Sequence, residues 1–338
     1  MRLAALALVG PVLVAALAAC GPSADVVLYC AVDRAHSEPI VRLFEERTGL
    51  VVDFQPDVEL SKSVGHRRRI QEEADNPRCD VFWNNEVVQT VLLGEAGLLE
   101  PYRSPAGEDI PEAFHDPGDL WTGFGARARV FIVNSEVYPD TADAPASTKA
   151  FLDPAYRGRA GMARPLTGTT AAHGSYWIHT WGLDRTLAML DGMRENGVVF
   201  GPGNAQLMRQ VRGGELDFGF TDTDDVKVAV DQGFPVAQLV PDQGPDDPGL
   251  LVIPNTVSIV KGAPHPEAAR QLMDFLLSPE VEELLAAGPS AQIPVRASVP
   301  RPPHVLDLSD WRLAEIDWPA VGRAYADNVA ALEAYFTQ

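Results

Sequence analysis

The sequence predicts an α/β protein of two units, each a mostly parallel sheet flanked by helices. Three observations carry that expectation. Short apolar runs bounded by turn residues alternate with segments of helical period, as in "DVVLY", "SEPIVRLFEERTG" and "LVVDFQP". The alternation occurs once before about residue 125 and again over 125–252. A later apolar run, "LLVIPNTVSIVKG", returns the chain to the first unit.

The elements follow in order. After the strand "DVVLY", a helix is expected from Ser37 as its cap, along the stripe Ile40, Val41 and Phe44, to a stop at Gly49. "LVVDFQP" is a second strand, "HRRRIQEEAD" a solvated helix, and "DVFWNNE" a third strand running into a loop. "VVQTVLLGEAGLLEPY" reads as a helix with a glycine-marked end. "GARARVFIVN" opens the second unit, with Arg127 and Arg129 on one face of the strand. "STKAFLDPAYRGRAGMARP" runs through a helix into a short strand, and "LTGTTAAHGSYWIHTWG" is a turn opening a helix. "LDRTLAMLDGMRENG" is another helix, and "GPGNAQL" starts one more. "ELDFGFTDTDD" is a strand ending in aspartates. "HPEAARQLMDFLLSPEVEELLAAG" is a helix pair broken at Ser278-Pro279. The chain closes on an amphipathic helix with Val321, Tyr325, Val329, Leu332 and Phe336 on one stripe.

The N-terminus sets the compartment. "MRLAALALVGPVLVAALAAC" is a basic start, an apolar stretch and small residues before Cys20, the layout of a secretory leader over 1–19. Gly10-Pro11 interrupts a stretch already short for a bilayer span. The formal net charge of −20 disfavours nucleic acid and anionic lipid as partners. Of the remaining cysteines, Cys30 ends one strand and Cys79 starts another. Side by side in parallel, these strands would hold the thiols roughly 13 Å apart, at about 3.3 Å per residue. That is too far for a disulfide.

Open parallel sheets bind ligands at the carboxyl ends of their strands. The first strand delivers Asp33 there, and the third delivers Asn85 and Glu86. The turn before the mid-chain helix brings Gly168, Thr169 and Thr170, whose backbone N–H groups would suit an anion. Asn204 stands at a further helix start, and Asp222, Asp224 and Asp225 end "TDTDD". Clustered carboxylates repel, and a cation would relieve the cost. Hard oxygen donors suit Fe³⁺, Mn²⁺, Ca²⁺ or Mg²⁺, and an ammonium group equally well. The alternative is that the aspartates only cap the next helix and favour its dipole. Enzyme motifs are missing: "GPSAQIP" is no nucleophile elbow, and there is no His-Glu-x-x-His. His173, Tyr176 and His179 share one helical run without completing a catalytic set.

Several segments taken together, "VVLYCAVDRAHSEPIVRLFEERTGLVV", "CDVFWNNE", "GEAGLLEPY", "GARARVFIVN", "AYRGRAGMARPLTGT" and "HPEAARQLMDFLLSPEVEELL", resemble the solute-binding lipoproteins of ABC importers. Within these, the chain is similar to the bacterial ferric-iron-binding periplasmic proteins. The resemblance implies a type II periplasmic-binding-protein fold: lobe 1 from 26–124 plus 253–300, lobe 2 from 125–252, and a C-terminal extension over 301–338. It implies hinges near 123–128 and 250–256, lobes that close on ligand, and partners in a permease and its ATPase subunits. The expected form is an exported monomer, not an enzyme, without a catalytic cofactor, lipidated at Cys20 and tethered to a membrane through the 20–25 linker.

The resemblance also assigns ligand positions. The ferric group's adjacent tyrosine pair falls on Asp224 and Asp225, its acidic third-strand ligand on Asn85 beside Glu86, and a first-strand His on Asp33. Its synergistic-anion seat falls on Gly168, Thr169, Thr170 and Asn204. The leading expectation is therefore ferric iron or another hard cation, held by Asp33, Glu86, Asp224 and Asp225 with a bound anion. A zwitterion of the aminophosphonate type would use the aspartates and the anion seat together, and a polyamine the aspartates alone. A solute-sensing adaptor lipoprotein and an exported enzyme are the readings from other classes.

Overall fold

The structure is a computed structural model describing residues 24–57 and 63–337, so the expected leader and Cys20 lie outside the described residues. The first unit begins with β1 (Val26–Cys30), β2 (Val52–Pro56) and β3 (Val81–Asn84). β1 lies between the other two and runs parallel to both. Cys30 pairs with Trp83, four residues past Cys79, and both thiols are free and buried. The expected distance between these thiols follows from that register.

Helix α1 (Arg34–Thr48) starts three residues before the expected cap. Asp33 is its boundary, and Ser37 lies inside the helix, donating from Oγ to the carbonyls of Val32 and Asp33. A serine can bond back one turn in this way, so its presence does not fix a helix start. Gly49 ends α1 at φ 73°, as expected. Helix α2 (Val64–Glu72) and α3 (Val88–Glu95) follow. α3 stops just before Gly97, the expected glycine-marked end, which takes φ 70° and turns the chain into β4 (Leu99–Glu100).

Strand β5 (Thr122–Asn134) is the spine of the molecule. Its first half pairs antiparallel with β10 (Val252–Val260), which also borders β3 antiparallel. Its second half pairs antiparallel with β8 (Phe218–Asp222) and β9 (Val236–Leu239). β8 continues through β6 (Ala160–Ala163) to β7 (Val199–Gly201), both contacts parallel. The strand order is β2-β1-β3-β10-β5-β8-β6-β7. Each unit thus has a parallel core, and long antiparallel strands join the two, a mixture the sequence did not foretell. Two irregularities mark the join: β10 shifts register between Pro254 and Asn255, and Gly125 in β5 has φ 45°.

The second unit carries α4 (Gly168–Trp181), α5 (Leu183–Glu195), α6 (Asn204–Arg212) and α7 (Thr223–Asp231). The expected helix over "STKAFLDPAY" is instead two 3-10 turns, Thr148–Leu152 and Pro154–Tyr156, separated at Asp153-Pro154. Back in the first unit, α8 (Pro266–Leu276) and α9 (Pro279–Ala287) flank the sheet, and the Ser278 hydroxyl caps α9 by accepting from Val281 N. The last helix, α10 (Trp318–Thr337), packs on both units. Gly322 meets Val91 of α3 so closely that a Cβ would lie 2.5 Å from its Cγ1. Tyr325 donates to the carbonyl of Leu166, just ahead of α4. Val321 and Leu332 are fully buried and Tyr325 nearly so, while Val329 and Phe336 are half-buried. Among the described residues no helix is long and apolar enough to cross a membrane.

Candidate functional site

A cleft of about 460 Å³ opens where strand ends and helix starts from both units meet. Asp33 and Asn85 reach it from the first unit, and Arg127 from the shared strand β5. From the second unit come Arg164, Thr167 to Thr170, Asn204, Arg209, Asp222, Asp224 and Asp225. The chemistry of the wall divides into two ends.

One end presents helix starts and hydrogen-bond donors. The N-termini of α4 and α6 both open on it, and the first N–H groups of a helix have no partner within that helix. Gly168 takes φ 59°, which lets the chain turn sharply into α4 at little steric cost. Thr170 donates to Asn204 Oδ1 at 3.0 Å, tying the two helix starts together. Thr169 donates from Oγ1 to Asp222, and Asn204 Nδ2 donates to the same oxygen at 2.9 Å. Asp222 is therefore the buried organiser of this end of the cleft rather than a free carboxylate. Arg164 and Arg209 stand exposed beside it.

The other end is acidic. Single oxygens of Asp222, Asp224 and Asp225 lie within 4.8 Å of one another. Two of the three carboxylates are already met by protein cations. Arg129, with a fully buried side chain, donates from Nη1 to Asp222 Oδ1 at 2.6 Å and lies over the Phe220 ring. Arg127 donates from Nε to Asp224 Oδ2 at 2.8 Å. Burial pushes the Asp224 carboxyl above the ordinary range, against the pull of Arg127. Burial likewise opposes the Arg127 charge, but Asp224 and Asp222 outweigh it and raise that pKa. Asp225 accepts from Thr221 Oγ1 at 2.6 Å. Asn85 offers a side-chain oxygen, Oδ1, that is buried without a partner among the described residues. Asp33 faces this group closely enough to act electrostatically on both Arg127 and Asp224.

Glu86, expected as a metal ligand, is not on the cleft wall. Its carboxylate turns inward and accepts from the N–H groups of Val88 and Gln89 at the start of α3, and from Asn84 Nδ2. β3 ends at Asn84, and in the bend that follows it Asn85 faces the cleft while Glu86 turns to the interior. Burial raises the Glu86 pKa to about 7, against a reference of 4.5. An acid raised in the folded state costs nothing below its unfolded value and destabilises increasingly as pH rises toward its folded one. Wild type should thus lose stability relative to Glu86→Gln between about pH 4.5 and 7, by on the order of 3 kcal/mol. Urea midpoints of both proteins across that range would check this, and a constant difference would refute it.

Arg127, Arg129, Arg164 and Arg209 were absent from the expected site set. The pairing of Arg127 and Arg129 on one strand face was the available signal for two of them. Arg164 follows the end of β6 and was open to the strand-end rule. Arg209 sits in the second turn of α6 and carried no such signal. His173 is buried against Trp177 and Phe220, with its pKa pushed well down by burial and by Arg129, and it does not line the cleft.

The family model for "Bacterial extracellular solute-binding protein" matches residues 40–310. The chain is 26% identical to "Iron uptake protein A1" of Synechocystis over 76% of its own length and 73% of the relative's. It is equally 26% identical to a "Putative 2-aminoethylphosphonate-binding periplasmic protein" of Salmonella paratyphi A, with the same coverage. The solved periplasmic binding protein AfuA of Actinobacillus pleuropneumoniae, bound to fructose-6-phosphate, superposes with a TM-score of 0.78 at 25% identity, covering 91% of this chain and 98% of AfuA. The fold is thus that of type II periplasmic binding proteins, and these relatives are named for uptake and binding. The chain belongs to the bacterial extracellular solute-binding protein family, the binding components of ABC importers.

Proposed function

We propose that the cleft binds a small zwitterion carrying an amine and a phosphonate or phosphate group, and delivers it to an ABC permease. The observation that carries this reading is the pairing of Asp222 with Arg129 and of Asp224 with Arg127. A hard cation centred on Asp222 and Asp224 would have to compete with two buried arginines, whereas an amine beside Asp33, Asp225 and Asn85 Oδ1 leaves both pairs in place. The phosphoryl end would take the α4 and α6 N-termini, flanked by Arg164 and Arg209. A wall of four aspartates and three arginines suits a ligand carrying both signs of charge. The name of the Salmonella relative points the same way, and the sugar phosphate bound by AfuA supports the phosphoryl end alone.

This reading displaces the ferric expectation to second place. The specific support for iron is the compact Asp222, Asp224 and Asp225 group and the name of the Synechocystis relative. In either case the proposal has lobe 1 (26–124 plus 253–300) and lobe 2 (125–252) closing on the solute about β5 and β10. Export through the 1–19 leader and anchoring at Cys20 complete it. A melt of the ligand-stripped protein tests the ligand class. Ligand at 100 times its Kd adds about 2.7 kcal/mol, so 2-aminoethylphosphonate should raise Tm by several degrees and ferric citrate should not. A shift with ferric citrate alone would overturn the proposal in favour of iron.

A further inference from the structure

We infer that Arg127 is the residue that couples the bound solute to the join between the lobes, an inference that rests on the ligand reading above. Arg127 occupies the middle of β5, where pairing with β10 gives way to pairing with β8. Its guanidinium holds groups from three elements. Nε donates to Asp224 at the start of α7, and Nη1 donates at 2.8 Å to the carbonyl of Asn85 in the first unit. Nη1 also lies 3.3 Å from Asn255 Oδ1 on β10. Asn85 and Asp224 both line the cleft, so one side chain ties a cleft-wall residue of one lobe, through its backbone, to a cleft-wall carboxylate of the other.

The third contact reaches the irregular part of the join. Asn255 is the residue at which β10 shifts register. Its Nδ2 donates to the carbonyls of Phe124 and Gly125 and to Gln292 Oε1. Gly125 has φ 45°, and an added Cβ there would lie 2.8 Å from that same Gln292 oxygen. The kinked strand, the shifted strand and Arg127 therefore form one hydrogen-bonded unit. A solute amine near Asp33 and Asp225 competes for the field that Arg127 feels, and any change in the hold of Arg127 on Asp224 or Asn85 is passed to Asn255 and to the kink. Arg127 is a positioning residue in this scheme. Its planar fork matters more than its charge, because a lysine carries the same charge without the fixed fork that spans these partners.

Arg127→Lys tests this in the mature protein. In the ligand-free protein, the amides of Gly125 and Ala126, which donate to Glu282 Oε1 and to the Ile293 carbonyl at the kink, should exchange hydrogen about tenfold faster in the variant, because the kink that Arg127 braces through Asn255 opens more readily by the worth of one ordinary hydrogen bond. With saturating 2-aminoethylphosphonate, wild type should show a smaller radius of gyration by small-angle scattering, and the variant should bind without the full decrease. Unchanged exchange at Gly125 and Ala126 would overturn the inference, as would full compaction of the saturated variant. If wild type does not respond to the phosphonate, the ligand reading fails, while the ligand-free exchange still decides the role of Arg127. Should the lysine variant not fold, Asp224→Asn weakens the same link from its other end and is read by the same exchange.

Discussion

Asp222→Ala is expected to cost about 3–5 kcal/mol of stability, because it leaves a buried charge without its partner. The Arg129 side chain is fully buried, and its Nε and Nη2 already lack partners among the described residues. The Phe220 face beneath it cannot replace a carboxylate 2.6 Å away. Thr169 and Asn204 would lose their shared acceptor in the same step, so the starts of α4 and α6 would loosen. Urea midpoints give the loss directly. The double variant Asp222→Ala with Arg129→Met should be less damaged than the single one, since the orphaned charge goes too. A loss below about 1 kcal/mol for the single variant would mean that the pair is solvated and the organising role of Asp222 is wrong.

The second large effect falls on affinity and spares stability. Replacing both Arg164 and Arg209 with Ala should weaken 2-aminoethylphosphonate binding by about 100-fold, given about 1.5–3 kcal/mol for a hydrogen bond to a charged group, less screening at an exposed site. Both side chains are exposed, so the ligand-free melt should barely move. The dependence of affinity on salt should also flatten, since the screened attraction has been removed. Calorimetry at two salt concentrations would show both effects. Unchanged affinity would place the phosphoryl group elsewhere.

The sequence made the fold legible because local signals agreed with it. The stripe on α10, the break at Ser278-Pro279 and the stop at Gly49 each rest on a constraint internal to a few residues. The antiparallel join was hidden, because pairing partners such as β5 and β10 are over a hundred residues apart and either direction fits an apolar run. Most of the expected site positions do line one cleft, since strand ends and helix starts are readable. What the sequence could not convey was which acids are already neutralised. "TDTDD" shows the aspartates, and "ARARV" shows the arginines, but only the register of β5 against β8 puts Arg129 opposite Asp222. Glu86 failed for a similar reason: its neighbour Asn85 took the outward position, and the inward one became a cap.

A crystal structure of the mature protein with bound 2-aminoethylphosphonate would fix the ligand's orientation in the cleft. Phosphonate oxygens should lie on the backbone N–H groups that open α4 and α6, the amine among Asp33, Asp225 and Asn85, and the Arg129–Asp222 and Arg127–Asp224 pairs should be retained. A ligand lying the other way round, or a metal ion coordinated by Asp222, Asp224 and Asp225 with the arginines swung aside, would contradict this placement.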